Sequence, residues 1–383
     1  MKYDMIIAGC GFAGATIAYL AAKDGKRVLL LEKRGHIAGN MFDYVNDAGI
    51  LVQKYGPHSI HTSNQAVIDF LEDIWDWQPY TLRARAVIEG RTTPVPFNFT
   101  TIDTYYSESE AALLKERLQA VYPGSKTVPV IDMLASSDTI IRAYAEFLFE
   151  KDYRPYSAKQ WGIPPEQLDS SVLKRVPVRL SYVDRYFDDM WQTLPQGSFT
   201  ALFAKLLSSQ AIDVRLNEDI LPHLRLCENG DILFDGQRLD IPLIYTGPLD
   251  ELFGQRHGCL PYRSLHFVFE THDLESYQET SGVAHPMAEG FTRITEYTKQ
   301  PVQNGNGKTA ICVEYPVPYG SKQGKEAYYP ILTDASQQMA EAYRKLAYQY
   351  KELHLCGRLA DFRYYNMDQV IDRALALYKE LSL

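Results

Sequence analysis

Residues 5–8, MIIA, are a short apolar run; residues 12–22 carry no charge; residues 28–31, VLLL, are apolar again and end at Glu32. Short apolar runs bounded by glycine read as fully buried strands, and the uncharged run between them as a helix packed on all sides. Gly9, Gly11 and Gly14 fall between the first strand and the helix at G-x-G-x-x-G spacing. Gly9 allows the tight turn, Gly11 lets the backbone approach a pyrophosphate, and Gly14 lets the helix close on the sheet, so the helix N-terminus can hold phosphates. Glu32 sits at the offset of a ribose-binding acid. Strand, glycines, helix, strand and acid in this order predict a dinucleotide-binding βαβ unit.

Helical periodicity returns at residues 64–75, where Val67, Ile68, Leu71 and Ile74 or Trp75 recur. Strand-like pieces follow at 83–88 and 93–99. From 107 to 153 the pattern is helical: SESEAALLKERLQAVYPG opens on acids and stops at Pro-Gly, and SSDTIIRAYAEFLFEKDY puts Ile141, Tyr144 and Leu148 on one face. Pro155, Pro164, Pro165 and Pro177 then break the helical rhythm. A helix at 198–210 and a strand at 212–216 come next, and 231–234 and 239–245 resemble the later strands of a dinucleotide domain. Strands at 264–270, 292–297 and 309–315 suit an antiparallel sheet. The chain closes with the strand LHLCGRL and a helix over 366–380 that turns Met367, Val370, Ile371, Ala374, Leu375 and Tyr378 inward.

This predicts an α/β fold with a discontinuous Rossmann-like domain (1–79, 192–250, 334–383), an inserted helical domain carrying a substrate loop (97–191) and an antiparallel sheet domain (80–96, 251–333). The closing strand, Gly-Arg turn and helix form a second dinucleotide-type contact. FAD is long enough to need both half-sites, and a C-terminal helix N-terminus suits the electron-rich edge of a flavin.

Charge and cysteine usage narrow the class. The formal net charge of -9 offers no basic surface for nucleic acid. Cys10, Cys227, Cys259, Cys312 and Cys356 are scattered, with no CxxC pair and no histidine at metal spacing, so no metal site is expected and the thiols read as reduced and cytoplasmic. The opening MKYD lacks a basic signal region, and the three glycines interrupt the uncharged run, so neither a signal peptide nor a membrane span is expected.

Ordered motifs then carry a resemblance: EKRGHIAGN from Glu32, KYGPHSIHT from Lys54, PFN from Pro96, YSAKQWG from Tyr156, KRVPVR from Lys174 and RYF from Arg185. They continue with YTGPLD from Tyr245, YRSLHF from Tyr262, FTRITEY from Phe291, EYP from Glu314, YYP from Tyr328 and GRLADFRYYNMDQVI from Gly357. Nearly end to end, the chain resembles the UDP-galactopyranose mutases. These flavin enzymes interconvert a nucleotide-linked galactopyranose and its furanose isomer.

The resemblance implies that Gly9, Gly11, Phe12, Gly14, Glu32, Lys33, Gly39 and Asn40 hold the adenosine-pyrophosphate half of FAD, while His58, Gly357, Arg358 and Met367 bound the flavin. Uracil would lie near Tyr156 and Trp161, with Asn98 nearby. The diphosphate would be held by Arg175, Arg293 and the hydroxyls of Tyr186, Tyr329 and Tyr364, with Arg175 on a closing loop; buried diphosphate demands such charge-assisted donors. Arg179, by contrast, reads as structural. Catalysis would rest on Arg175, Arg293 and His58 around reduced FAD, whose N5 attacks the anomeric carbon with no net oxidation. A UDP- or dTDP-sugar, an external reductant such as NAD(P)H and a homodimeric state come with the family. An FAD amine oxidase or dehydrogenase is the alternative from another class.

The sequence also departs from the family pattern. Asn366 replaces an aspartate, Gln53 stands where histidine is frequent, Ala38 replaces a glycine, and Asp152, Tyr153 and Pro155 alter the approach to Tyr156. UDP-galactose is the leading substrate; UDP-N-acetylgalactosamine and a dTDP-deoxysugar are the alternatives.

Overall fold

The computed structural model describes residues 2–162 and 176–381. Five parallel strands run in the order Ile212–Leu216, Val28–Glu32, Met5–Ala8, Leu243–Tyr245, Leu353–Leu355. The order reverses beside Met5–Ala8, which opens a crevice beyond the carboxyl ends of the strands, where ligands of such sheets bind.

Because side chains alternate across a strand, the sheet feeds two cores. Ile7, Leu30 and Ile244 pack on one face with Ala15, Ile17 and Ala18 of the first helix, Phe12–Lys23, and with Ile371 and Ala374 of the last, Met367–Leu381. Ile6, Leu29, Leu31 and Leu243 pack on the other with Tyr262, Tyr343 and Phe362. Each of the leucines and isoleucines contributes about 1.5–3 kcal/mol by leaving water. The first helix carries no charge before Lys23, its last and exposed residue, because the rest is enclosed on nearly every side. Among the described residues no helix is long and apolar enough to cross a membrane. All five cysteines are free.

A seven-stranded, mostly antiparallel sheet runs from Tyr329–Pro330 through Tyr262–His272, Thr309–Pro318, Arg293–Glu296 and Gly282–Ala284 to Ala84–Ile88 and Arg91–Val95. The expected helices lie at Glu108–Val121 and Thr139–Leu148, where Ile141, Tyr144 and Leu148 are buried in a third core with Leu114 and Leu118.

Three local expectations are corrected. The segment 231–234 does not join the parallel sheet: Ile232–Phe234 pairs antiparallel with Leu224–Leu226 and Gln237–Arg238, because Asp235-Gly236, both at positive φ, turns it back as a hairpin. Residues 93–99 are not one strand: the strand is Arg91–Val95, and Asn98 with Thr101 forms a capping box that starts the helix Phe99–Tyr105. Pro155 does not end the helical run, which continues from Thr139 through a π-helical turn, Phe149–Tyr153, into Arg154–Trp161. The wider turn relieves the clash of a proline ring with the preceding carbonyls, and the missing N–H falls at a turn boundary.

Candidate active site

Two cavities meet in the crevice. The first lies along the strand ends and is lined by Gly9, Gly11, Phe12, Glu32, Lys33, Gly39 and Asn40, and from the far end of the chain by Gly357, Arg358 and Met367. The glycines divide the labour. Gly9 has φ +102°, and a Cβ there would come within 2.1 Å of Thr246 Oγ1. A Cβ on Gly14 would lie 2.0 Å from the Gly9 carbonyl, so Gly14 serves helix packing and does not line the cavity. A Cβ on Gly11 would meet nothing within 4 Å; it would project into open space at the helix N-terminus. Glu32 accepts the backbone N–H groups of Cys10 and Arg34, each at 2.9 Å, which pins the glycine turn to the second strand. Its remaining lone pairs suit ribose hydroxyls.

The second cavity, about 580 Å³, lies between the helical run that ends at Trp161, the antiparallel sheet and the segment 364–369. It gathers Tyr156, Tyr186, Arg293, Tyr329, Tyr364 and Asn366, with His58 from the Tyr55–His58 loop. Arg358, Tyr328 and Met367 line both cavities, so the two join there, beside the N-terminus of the helix Met367–Leu381. Arg358 is fixed by the carbonyls of Tyr365 (3.0 Å) and Tyr328 (3.1 Å), and its guanidinium lies 3.9 Å from the centre of the Tyr329 ring, itself stacked on Tyr364.

Arg293 is not an isolated cation. Its Nε and Nη2 donate to Glu314 at 2.8 and 2.9 Å, and these residues are direct partners across adjacent strands. Burial would lower the arginine's pKa, but Glu314 and the nearby Tyr156 outweigh it and hold the pKa above its usual value. His58 is neutral: burial, aided by Arg358 and Arg293, pushes its pKa down to about 3. Among the described residues its buried Nδ1 has no hydrogen-bond partner. Burial pushes the Tyr156 phenol up to about 12, which keeps it a hydrogen-bond donor.

Not every expected residue reaches the site. Asn98 is fully buried and does not line the cavity; its side chain caps the helix through Thr100 N–H at 2.8 Å and donates to the Val183 carbonyl at 3.0 Å. Trp161 ends its helix, and its side chain lies outside what the structure describes. Arg175 lies outside the described residues. Arg179, expected to be structural, is buried and ties Asp188 and the Tyr186 carbonyl together.

Other residues went unassigned in the sequence. Arg34 lines the first cavity, bridging Asn40 and Glu326 at 3.0 and 2.5 Å. Glu314 and Arg263 line the second. Both fall inside quoted motifs, EYP and YRSLHF, on strands whose alternation was the available signal.

Together these features define a nucleotide-cofactor enzyme of the Rossmann class with an arginine- and tyrosine-lined substrate cavity. Residues 7–74 match the NAD(P)-binding Rossmann-like domain, and residues 151–364 match the UDP-galactopyranose mutase family. A UDP-galactopyranose mutase of Mycoplasma pneumoniae is 34% identical over 99% of this chain and 96% of its own. The Escherichia coli dTDP-fucopyranose mutase is 29% identical over 97% and 96%. The fold superposes on the crystal structure of a reduced UDP-galactopyranose mutase with a TM-score of 0.73 at 16% identity, covering 100% of this chain and 94% of that one. The chain belongs to the UDP-galactopyranose mutase family.

Proposed function

We propose that this protein is an FAD-dependent isomerase that interconverts a nucleotide-diphosphate pyranose and its furanose form, with UDP-galactose the leading substrate. The observation that carries this reading is the junction of the two cavities at Arg358, Tyr328 and Met367. An extended cofactor anchored at the Gly11 opening has a path to the mouth of the substrate cavity.

The residues fit the cofactor. Gly11 leaves the phosphates an approach, Glu32 faces the ribose, the helix at Met367 directs its positive end to the junction, and the buried Nδ1 of His58, without a partner among the described residues, supplies one polar contact there. When bound and reduced, the flavin would supply the nucleophile for the anomeric carbon.

This chain's residues do the rest. Arg293, with Arg175 expected from the family, pairs the diphosphate and stabilises it as a leaving group; Tyr186, Tyr329 and Tyr364 add hydroxyl donors. The neutral His58 donates or accepts one hydrogen bond without adding charge. The stacked Tyr329–Tyr364 pair and Arg358 wall the junction. We include an external reductant such as NAD(P)H in this reading, and a cytoplasmic, homodimeric enzyme.

Similarity to the dTDP-fucopyranose mutase favours a second reading of the substrate, a dTDP-deoxysugar. The test is anaerobic incubation of the dithionite-reduced protein with UDP- and dTDP-linked pyranoses and furanoses, followed by chromatography. Interconversion of one donor is expected and identifies the substrate; no interconversion across the panel would overturn the reaction.

A further inference from the structure

The helical run approaching Trp161 turns Asp152, Tyr156 and Gln160 toward the substrate cavity, at the i, i+4, i+8 spacing of one helix face. Two of the three have a clear task. Tyr156 offers a ring, and Gln160, with its amide oxygen turned inward, accepts Nη1 and Nη2 of Arg263 at 2.8 and 3.2 Å. Asp152 has none: among the described residues its carboxyl receives no hydrogen bond, and burial raises its pKa to about 7 against the pull of Lys159. The Lys159 ammonium is already taken up by the carbonyls of His285, Ala288 and Phe291 at 2.7–2.8 Å. An ionised carboxyl in a cavity wall without a donor is costly, so the empty site relieves it by protonation, and a ligand N–H would hold it as the carboxylate.

Its position along the cavity indicates which part of a ligand that is. Tyr329, at the junction, and Arg263 lie on the strands at one end of the seven-stranded sheet, Arg293 lies on a middle strand, and the Phe149–Tyr153 turn that carries Asp152 packs on Ala84–Ile88 further along. Arg263 and Arg293 therefore lie between the junction and Asp152, while Arg85, at the far end, is already paired with Asp184 and Glu279. An anionic diphosphate held in the middle, with its sugar at the junction, sends its nucleoside toward Asp152.

We propose that Asp152 reads the edge of the substrate's nucleobase, its carboxylate accepting the imide N3–H of a uracil- or thymine-type ring laid against Tyr156. This rests on the nucleotide-sugar reading above and deepens it by naming the side chain that reads the base. Cytosine presents a lone pair at the same ring position, so the ionised carboxyl repels it; above its pKa the pocket selects for an N–H and against its absence.

The test is equilibrium binding, at about pH 8.5 where the carboxyl is ionised, of UDP, N3-methyl-UDP and CDP to the flavin-loaded full chain, wild type and with Asp152→Ala or Asp152→Asn, with flavin content checked throughout. Wild type is expected to prefer UDP to both analogues by roughly tenfold or more. Asp152→Ala is expected to erase the discrimination against N3-methylation. Asp152→Asn, whose amide can accept or donate, is expected to keep UDP binding near that of wild type and to gain CDP. A residue that only supports the helix would weaken all three ligands together. Equal wild-type binding of UDP and N3-methyl-UDP, or discrimination that survives Asp152→Ala, would overturn the role of Asp152 while leaving the mutase reading to its own turnover assay. Failure of every nucleotide to bind would overturn both.

Discussion

Gln53 grips the backbone of His58 from both sides: its Oε1 accepts the His58 N–H and its Nε2 donates to the His58 carbonyl at 3.2 Å. Gln53 is 2% exposed and its own carbonyl accepts the Tyr297 hydroxyl at 2.8 Å, so the cavity loop is tied to the seven-stranded sheet through one buried amide. The residue that departs from the family's frequent histidine is therefore the clamp of the loop that presents His58.

Replacing Gln53 by methionine keeps the volume and deletes both hydrogen bonds, leaving a buried N–H and C=O unsatisfied. Gln53→Met is expected to lower stability by about 2–4 kcal/mol. Denaturant titration checks this, and the bound-flavin absorbance of the purified variant should fall in parallel. Stability within 0.5 kcal/mol of wild type would mean that the loop holds itself (about the scatter of neutral surface changes).

The Arg293–Glu314 fork sets a charge balance in the cavity. Glu314 is almost fully buried, and the arginine side chain is 35% exposed. Breaking a fully buried pair costs roughly 3–5 kcal/mol, and partial solvation of Arg293 reduces this to about 1–3 kcal/mol for Glu314→Gln. The substitution also leaves Arg293 with an uncompensated positive charge, so UDP is expected to bind several-fold more tightly, with a steeper dependence on salt. Calorimetry at two ionic strengths measures both. Weaker binding would show that Glu314 acts by orienting the guanidinium rather than by tempering its charge.

His58 gives stability a defined pH dependence. Its folded pKa, about 3, lies below the ordinary 6.5, so between these values the unfolded chain binds a proton that the folded chain refuses. Stability is therefore undiminished above pH 6.5 and falls as the pH drops toward 3, with a slope of up to about 1.4 kcal/mol per unit. Against a His58→Gln reference, which cannot titrate, the wild type is expected to lose about 2 kcal/mol between pH 6.5 and 5. Parallel unfolding curves at the two pH values would show that the imidazole is solvated.

The parts legible in the sequence were those fixed by local geometry. The glycine turn announces itself because Gly9 and Gly14 admit no Cβ. The last helix was readable because its buried positions, among them Ile371, Ala374 and Tyr378, repeat with helical period. Partnerships across the sheet were not readable. Arg293 meets Glu314 only once the register of two antiparallel strands is set, and nothing local distinguishes that glutamate from an exposed one. Asn98 misled for the opposite reason: a local signal, the capping box with Thr101, was present and was outweighed by the resemblance. Pro155 misled because its breaking tendency is absorbed by a π-helical turn, and that turn has no signature of its own.

Two glycines separate binding from folding. Gly11 has φ -82°, which any residue accepts, and a Cβ there has open space; a Cβ on Gly14 would overlap the Gly9 carbonyl. In cofactor-free protein Gly11→Ala is therefore expected to leave stability within about 0.5 kcal/mol of wild type, whereas Gly14→Ala forces the helix from the sheet and costs several kcal/mol. Once FAD is offered the order of interest changes. The added methyl of Gly11→Ala stands where the backbone must approach the pyrophosphate, so a protein of normal stability should fail to retain the cofactor. Gel filtration with flavin absorbance, run beside thermal melts of the stripped proteins, reads both properties. If Gly11→Ala retains flavin like the wild type, the pyrophosphate does not sit over this turn, and the proposed route of the cofactor through the first cavity is wrong.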